Sequence, residues 1–206
     1  MYLMQRIHIA FLFLLLNLFA VNADSQNIDI NILRSINPQT PTSGFWRAST
    51  DSYLWVSGSA MLGTLAIGLI EHDKERQHDA YEIMIAVGIN VAVTDGLKTI
   101  FKRVRPAEEY PGEIYTLTKS RDASFPSGHT SLAFATATAM SLTYKKWYVT
   151  VPAYVWAGCV GYSRMYLGKH FPSDVLGGAL IGTGSAYLSH WLSKKLFRPK
   201  QLKVDQ

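Results

Sequence analysis

Three short blocks of the sequence combine basic side chains, histidines and signals for the start of a helix. They are Lys98 with Arg105-Pro106, the run Pro126-Ser127-Gly128-His129, and Ser163-Arg164 with His170 and Asp174. Cationic side chains and the N–H groups at a helix start bind phosphate. A histidine can serve as a nucleophile or as an acid and base. Taken together, the blocks predict a phosphate site that carries its own nucleophile and acid.

The first block places two cations near the end of an apolar segment. Lys98 and Arg105 are seven residues apart, nearly two helical turns, so both are expected on one helix face, with Pro106 ending the helix. Taken alone, this block is equally typical of a basic cluster beside a membrane.

The second block has the features of a helix start. Ser127 is a good N-cap, and Gly128 leaves room for an anion to approach the exposed N–H groups beside His129. Taken alone, it is also typical of a plain turn and cap.

The third block places His170 just before a predicted helix and Asp174 in its first turn, behind Pro172. At four-residue spacing the imidazole and the carboxylate can meet. Arg164 adds a further cation. Taken alone, the pair is also typical of a structural hydrogen bond at a helix start.

Several apolar stretches separate these blocks. Four are nearly free of charge and close to membrane length: Tyr53 to Ile70, Tyr81 to Phe101, Trp147 to Leu167, and Val175 to Leu192. Such segments favour spanning helices, although core helices of a soluble all-α protein look similar. A fifth stretch, Thr130 to Tyr144, is rich in small residues, which predicts a buried position inside a bundle.

The first 23 residues have the plan of a secretory signal peptide, with Arg6 before an apolar run. The alternative is an uncleaved first membrane helix. Either interpretation places residues 24–52 on the outer, periplasmic side. Ile28, Ile32 and Ile36 recur there at helical spacing, which predicts a short amphipathic helix, for which we expect no role in the chemistry.

The distribution of charge supports one orientation. If residue 24 lies outside, the cytoplasmic segments are the loops 71–80 and 145–146 and the tail 193–206. These segments are rich in Lys and Arg, as expected for the cytoplasmic side. The outer loops should then be poor in cations, yet Lys98, Arg105 and their basic neighbours lie there. This exception requires a function, and all three blocks fall on the same side.

Composition sets the limits of the function. The 206 residues suit one domain, and the net charge of +5 suits an anionic partner. Cys159 is the only cysteine, so dithiol chemistry and a cysteine zinc cluster are excluded. For the other histidines, His8, His72, His78 and His190, we expect solvated or structural roles.

The blocks together resemble the signature of the type 2 phosphatidic acid phosphatases: K-x6-RP, then PSGH, then SR-x5-H-x3-D. Every specified position is present in order and spacing over residues 98–174. The run 166–178 is similar to the membrane-bound branch of that family. The resemblance implies an all-α polytopic bundle, with five spanning helices after cleavage or six if the first is retained. Residues 53–193 then form the membrane domain, and 194–206 form a basic cytoplasmic tail.

By that resemblance His170 is the nucleophile, which forms a phosphohistidine. Asp174 holds the other ring nitrogen of His170, and His129 is the general acid and then the base. The phosphate oxygens are bound by the remaining motif residues, Lys98, Arg105, Ser127, Gly128 and Arg164. No metal or other cofactor is required by this set.

The expected function is hydrolysis of the phosphate or diphosphate of a membrane lipid on the periplasmic side of a bacterial inner membrane. Lipid A and undecaprenyl diphosphate are the leading substrates, then phosphatidylglycerophosphate and phosphatidic acid. The expected partners are that lipid and the bilayer, not nucleic acid. The alternatives are a soluble exported acid phosphatase, a vanadate-dependent haloperoxidase, and a non-enzymatic lipid-binding or transport protein of the same fold.

Overall fold

The computed structural model describes residues 23–197. These residues form helices joined by loops and contain no strand. The helices are α1 (Ala23–Ile36), α2 (Gly44–Ile70), α3 (Lys74–Phe101), α4 (Pro106–Glu109), α5 (Gly128–Tyr144), α6 (Trp147–Tyr166) and α7 (Pro172–Phe197). The predicted all-α class is confirmed. The predictions for the leader and for most of the basic tail lie outside the described residues.

Each of the five apolar segments forms a helix. The largest difference between a predicted and an observed helix boundary is at the start of α2. This helix begins at Gly44, nine residues before the predicted start at Tyr53. α1 confirms the helix expected around Ile32, but its buried apolar side chains are Ile30 and Leu33. Ile28 and Ile32 are exposed instead.

α5 lies at the centre of the bundle, in contact with α2, α3, α6 and α7. Small side chains cover the surfaces of α5 that contact its neighbours. Four of them are fully buried: Ala133, Ala135, Thr136 and Ala137. Small residues allow helix backbones to approach closely. The burial predicted from the composition of this segment is confirmed.

Two glycines of α7 make that close approach possible. A Cβ atom at Gly182 would lie 2.1 Å from the carbonyl oxygen of Ser131, and one at Gly178 would lie 2.7 Å from that of Ser127. The backbone of α7 therefore rests directly on α5. At the same end the Ser127 N–H donates to the carbonyl of Asp174 at 3.1 Å, so this contact brings the second and third sequence blocks together.

The bundle has an apolar exterior and a largely polar interior. Trp55, Trp147 and Leu176 are 79%, 77% and 63% exposed, whereas Asn90, Thr94 and other polar side chains are buried. By length and composition, two segments, Gly44–Ile70 and Lys74–Glu109, are apolar enough to cross a membrane. An apolar surface on several helices is the arrangement expected for a bundle surrounded by lipid.

The end of α3 differs from the prediction. The helix stops at Phe101 because Lys102 adopts a left-handed conformation, with φ of 45°, and caps it. Pro106 does not end this helix but begins α4. Lys98 and Arg105 therefore do not share a helix face. They converge because the chain turns at Lys102.

Candidate active site

The predicted site residues meet at one end of the bundle, where α3 and α6 end and α5 and α7 begin. His170 lies between Arg105 and Asp174, and Asp174 is bonded to the backbone of Ser127. The charges of Arg164 and Arg105 both act on His129. Arg105 and His170, 65 positions apart in sequence, thus lie side by side in one constellation.

The ring of His170 is 1% exposed and faces different groups on its two sides. Nε2 lies 3.3 Å from Nη1 of Arg105. Because a guanidinium only donates, Nε2 is the acceptor and the ring proton is on Nδ1. Nδ1 faces Oδ2 of Asp174 at 3.6 Å, within ion-pair range but longer than an ordinary hydrogen bond.

Burial is the main reason that the pKa of His170 is lowered to about 4. The neighbouring charges of Arg164 and Arg105 act in the same direction, and together these effects outweigh the attraction of Asp174. The imidazole is therefore neutral at neutral pH. A neutral ring with a lone pair on Nε2 is the form that can attack phosphorus.

Asp174 is completely buried and is held by three donors. Nη1 of Arg103 donates to Oδ1 at 2.7 Å, while Oγ of Ser124 and the N–H of Phe171 donate to Oδ2 at 2.5 and 2.9 Å. These contacts keep the carboxylate ionised inside the protein and fix its direction. Four groups therefore surround Asp174 when His170 is included.

Lys98 and Arg105 converge on a carboxylate that the motif does not contain. Nζ of Lys98 and Nη2 of Arg105 each donate to Asp122 at 2.8 Å. Partial burial would raise the pKa of Asp122, but the hydrogen bond from Lys98 and the charge of Arg105 hold it well below the ordinary range. The Asp122 side chain is 58% exposed, so the two cations bind an anion at the mouth of the site.

Arg164 approaches from the end of α6. It is 7% exposed, and its Nη1 donates to Oγ1 of Thr50 at 2.8 Å. Its buried Nε has no hydrogen-bond partner among the described residues. The guanidinium thus brings positive charge to the two histidines and retains one donor without a partner.

His129 lies in the first turn of α5, stacked on Tyr53 with ring centroids 3.8 Å apart. Burial, followed by the charges of Arg164 and Arg105, lowers the pKa of His129 to about 2. Burial and these cations therefore disfavour the imidazolium. A bound phosphate dianion would supply the negative charge that favours it.

Ser127 is the N-cap residue of α5, as predicted, but its hydroxyl makes no capping bond to the helix. The hydroxyl instead pairs with Oγ1 of Thr130 at 2.9 Å. The first N–H groups of a helix have no partner within it, so the N–H groups of Gly128 and His129 are available to bind an anion.

Sequence reasoning did not identify Arg103, Ser124, Asp122 or Tyr53. It also did not identify Asp29, which contacts Arg103. Arg103 and Ser124 each lie two residues before a residue of the motif. A polar side chain beside a buried segment was a signal in the sequence that could have identified them. Asp122 lies in the loop 110–127 between α4 and α5, where no spacing rule applies. Tyr53 and Asp29 come from other helices and have no local signal.

No group of three or more His, Cys, Asp or Glu side chains arranged to hold a metal ion occurs within residues 23–197. The positive charge that a phosphate needs is instead present on Lys98, Arg105 and Arg164. The arrangement can bind a phosphate, place a neutral imidazole against it and supply a second imidazole for proton transfer.

Comparison with known proteins agrees with this geometry. The chain is 28% identical over 160 residues to lipid A 4'-phosphatase of Bacteroides thetaiotaomicron, covering 74% of this chain and 70% of that one. It is 28% identical over 187 residues to undecaprenyl-diphosphatase of Sulfolobus acidocaldarius, covering 86% of each. The crystal structure of Aquifex aeolicus LpxE superimposes with a TM-score of 0.64 and 29% identity, covering 80% of this chain and 95% of that one. The sequence pattern of the PAP2 superfamily matches residues 80–198, so the chain belongs to the PAP2 superfamily.

Proposed function

We propose that this PAP2-superfamily phosphatase hydrolyses the phosphate or diphosphate of a membrane lipid through a phosphohistidine at His170, without a metal ion. The observation that carries the proposal is the state of the His170 ring. It is buried and neutral, its Nε2 faces the Arg105 cation, and its Nδ1 faces Asp174.

In the first step the phosphate displaces the Arg105 contact from Nε2. Lys98, Arg105 and Arg164 bind the equatorial oxygens together with the N–H groups at the start of α5. The Nε2 lone pair then attacks phosphorus, and the bond to the lipid oxygen breaks with its electron pair. His129 donates a proton to that oxygen. Asp174 stabilises the positive ring that results.

In the second step water attacks the phosphohistidine from the side that the lipid oxygen has left. His129, now neutral, takes a proton from the water. The bond between phosphorus and Nε2 breaks, its electron pair returns to the ring, and inorganic phosphate leaves. The enzyme is then restored with Nε2 unprotonated.

The position of the site favours a lipid substrate. The cations lie at the ends of helices whose outer surfaces are apolar, which corresponds to head-group depth. A lipid can present its phosphate there while its chains remain in the bilayer. We place the site on the periplasmic face of a bacterial inner membrane. The names of the relatives make lipid A and undecaprenyl diphosphate the leading candidates, ahead of phosphatidylglycerophosphate and phosphatidic acid.

The alternatives have less support. A soluble acid phosphatase would not need the exposed aromatic and aliphatic side chains of α2, α6 and α7. A non-enzymatic lipid-binding protein would not need His170, Asp174 and His129 together.

The test is phosphate release by detergent-purified protein from a panel of these lipids, with p-nitrophenyl phosphate as the soluble comparison. We expect kcat/KM for the best lipid to exceed that for the soluble ester by about 100-fold or more, because lipid binding positions the reacting phosphate. Comparable values would support the acid phosphatase alternative. Release from none of the substrates would support the non-enzymatic one.

A further inference from the structure

We propose that Asp29 of α1 is a positioning residue for catalysis, acting through Arg103 to hold Asp174 behind His170. The proposal rests on the function proposed above. Asp29 also lies outside the PAP2 match, which begins at residue 80. From sequence we expected no role in the chemistry for this helix.

Asp29 reaches the start of α7 from a helix more than 140 residues away in sequence. Its side chain is 8% exposed. Oδ1 accepts the N–H of Ser173 at 2.8 Å, and Oδ2 accepts the hydroxyl of the same residue. A carboxylate that accepts an N–H in the first turn acts as an N-cap and complements the helix dipole. Asp29 therefore caps the helix that carries Asp174.

Arg103 joins Asp29 to the site. Its Nη2 donates to Oδ2 of Asp29 at 2.8 Å, and its Nη1 donates to Oδ1 of Asp174 at 2.7 Å. One planar guanidinium thus bridges two carboxylates, with its Cζ 4.1 Å from the centre of the Phe171 ring. Because the guanidinium is rigid, the position of one carboxylate is transmitted to the other.

The distance between Asp174 and His170 gives this bridge a catalytic consequence. At 3.6 Å, Oδ2 is just beyond hydrogen-bond length from Nδ1. A small displacement of Asp174 therefore decides how well it stabilises the positive ring formed after attack. A misplacement of about 1 Å can lower turnover by about 100-fold.

α1 is anchored by contacts that do not involve Asp29. Ile30 and Leu33 pack in a buried cluster with Ile114 and Phe171. The Asn37 amide bonds the backbone of Tyr115 at both its N–H and its carbonyl. Removing the charge of Asp29 should therefore leave α1 in place and affect only the Arg103 bridge and the contacts with Ser173.

The test compares kcat and KM of wild type and Asp29→Asn with a lipid phosphate, after confirming that both proteins are monodisperse in detergent. We expect kcat to fall roughly 10- to 100-fold. KM should stay nearly unchanged, because Asp29 touches none of Lys98, Arg105 or Arg164. Arg34→Gln is the matched control. It removes the exposed ion pair of α1 with Glu113 and should leave kcat within about twofold of wild type.

A double-mutant cycle separates positioning from general damage. In an Asp174→Asn background, adding Asp29→Asn should cost little further, because the carboxylate that it positions is already gone. Single-turnover assays at high protein concentration make the residual rates measurable. If Asp29→Asn does not fold, Arg103→Lys replaces it in the cycle, since a lysine keeps the charge but cannot bridge both carboxylates.

Wild-type kcat in Asp29→Asn, or a full additive loss in the Asp174→Asn background, would overturn the proposal. Neither result would affect the proposed function if the wild type releases phosphate and His170→Ala does not. An inactive wild type would instead count against the proposed function itself.

Discussion

At the scale of single residues, the site combines a neutral imidazole, the proposed nucleophile, with strongly charged neighbours. His170 is kept unprotonated by burial and by Arg105, while Asp174 behind it stays ionised because Arg103 and Ser124 donate to it. A ring in this state can attack phosphorus without first losing a proton. The new positive charge then forms beside a carboxylate that is already in place.

The lowered pKa of His170 can be observed directly. A histidine with a pKa of about 4 is neutral at every pH well above that value. In nitrogen NMR of histidine-labelled protein in detergent, the His170 signals should stay at neutral-ring positions from about pH 7 to about pH 5. The signals are assigned by their loss in His170→Ala. A titration midpoint near the ordinary histidine value would contradict the burial argument.

Asp122 provides a second prediction, because it occupies the two cations that a phosphate would use. Removing its charge in Asp122→Asn should free Lys98 and Arg105, so vanadate should bind roughly tenfold more tightly, with KM falling more than kcat changes. Glu113→Gln is the control, since Glu113 is an exposed acid of the same loop that pairs with Arg34. Weaker vanadate binding by Asp122→Asn would mean that Asp122 orders the cations instead of competing for them.

At the scale of helices, the contact between α5 and α7 sets the geometry of the site. It places the Ser127 backbone against Asp174, and it depends on the absence of side chains at Gly178 and Gly182. A change there should affect both stability and activity, even though neither glycine contacts the histidines.

Two glycines of α7 provide a matched pair for this prediction. A methyl at Gly182 would collide with the Ser131 carbonyl, whereas nothing lies within 4 Å of a Cβ at Gly184. Gly182→Ala should therefore cost about 2–3 kcal/mol or more, lowering the apparent Tm in detergent by roughly 5–10 °C. Gly184→Ala should match or slightly exceed wild type, because alanine favours helix. Equal melting of the two variants would contradict the close packing.

Much of this arrangement was predictable from sequence, for identifiable reasons. His170 and Asp174 are four residues apart at a helix start, so local geometry alone brings them together. Lys98 and Arg105 do lie close together, as predicted, since both bind Asp122. The prediction placed them on one continuous helix, whereas the helix ends at Phe101. The left-handed turn at Lys102 has no strong residue signal, since lysine rarely adopts it. Asp29 and Tyr53 reach the site only through tertiary packing.

At the scale of the whole molecule, the polar interior and apolar exterior support a bundle in a bilayer, with the cationic end at one surface. The loop 110–127 brings Asp122 to that end, and the turn at 71–73 joins α2 to α3 at the opposite end of the bundle. The turn precedes α3 and the loop follows it, so these two connections lie at opposite ends of the bundle.

The proposed orientation can be tested by labelling cysteines in intact cells with a membrane-impermeant maleimide. In a Cys159→Ala background, Lys119→Cys in the loop should react from the periplasm, whereas Glu71→Cys in the turn should react only after lysis. Both native side chains are exposed, so access is not limited by packing. The reverse pattern would place the active site in the cytoplasm.

The most direct test of the central claim is to trap the phosphoenzyme. Wild type, His129→Ala and His170→Ala are mixed with radiolabelled lipid phosphate, quenched in alkali, and assayed for protein-bound label that is lost in acid. We expect label on the wild type and no label on His170→Ala. His129→Ala should acquire label slowly from the lipid, because the leaving oxygen is no longer protonated, and should still be labelled by an activated phosphate ester. Equal labelling of wild type and His170→Ala would show that another residue is the nucleophile.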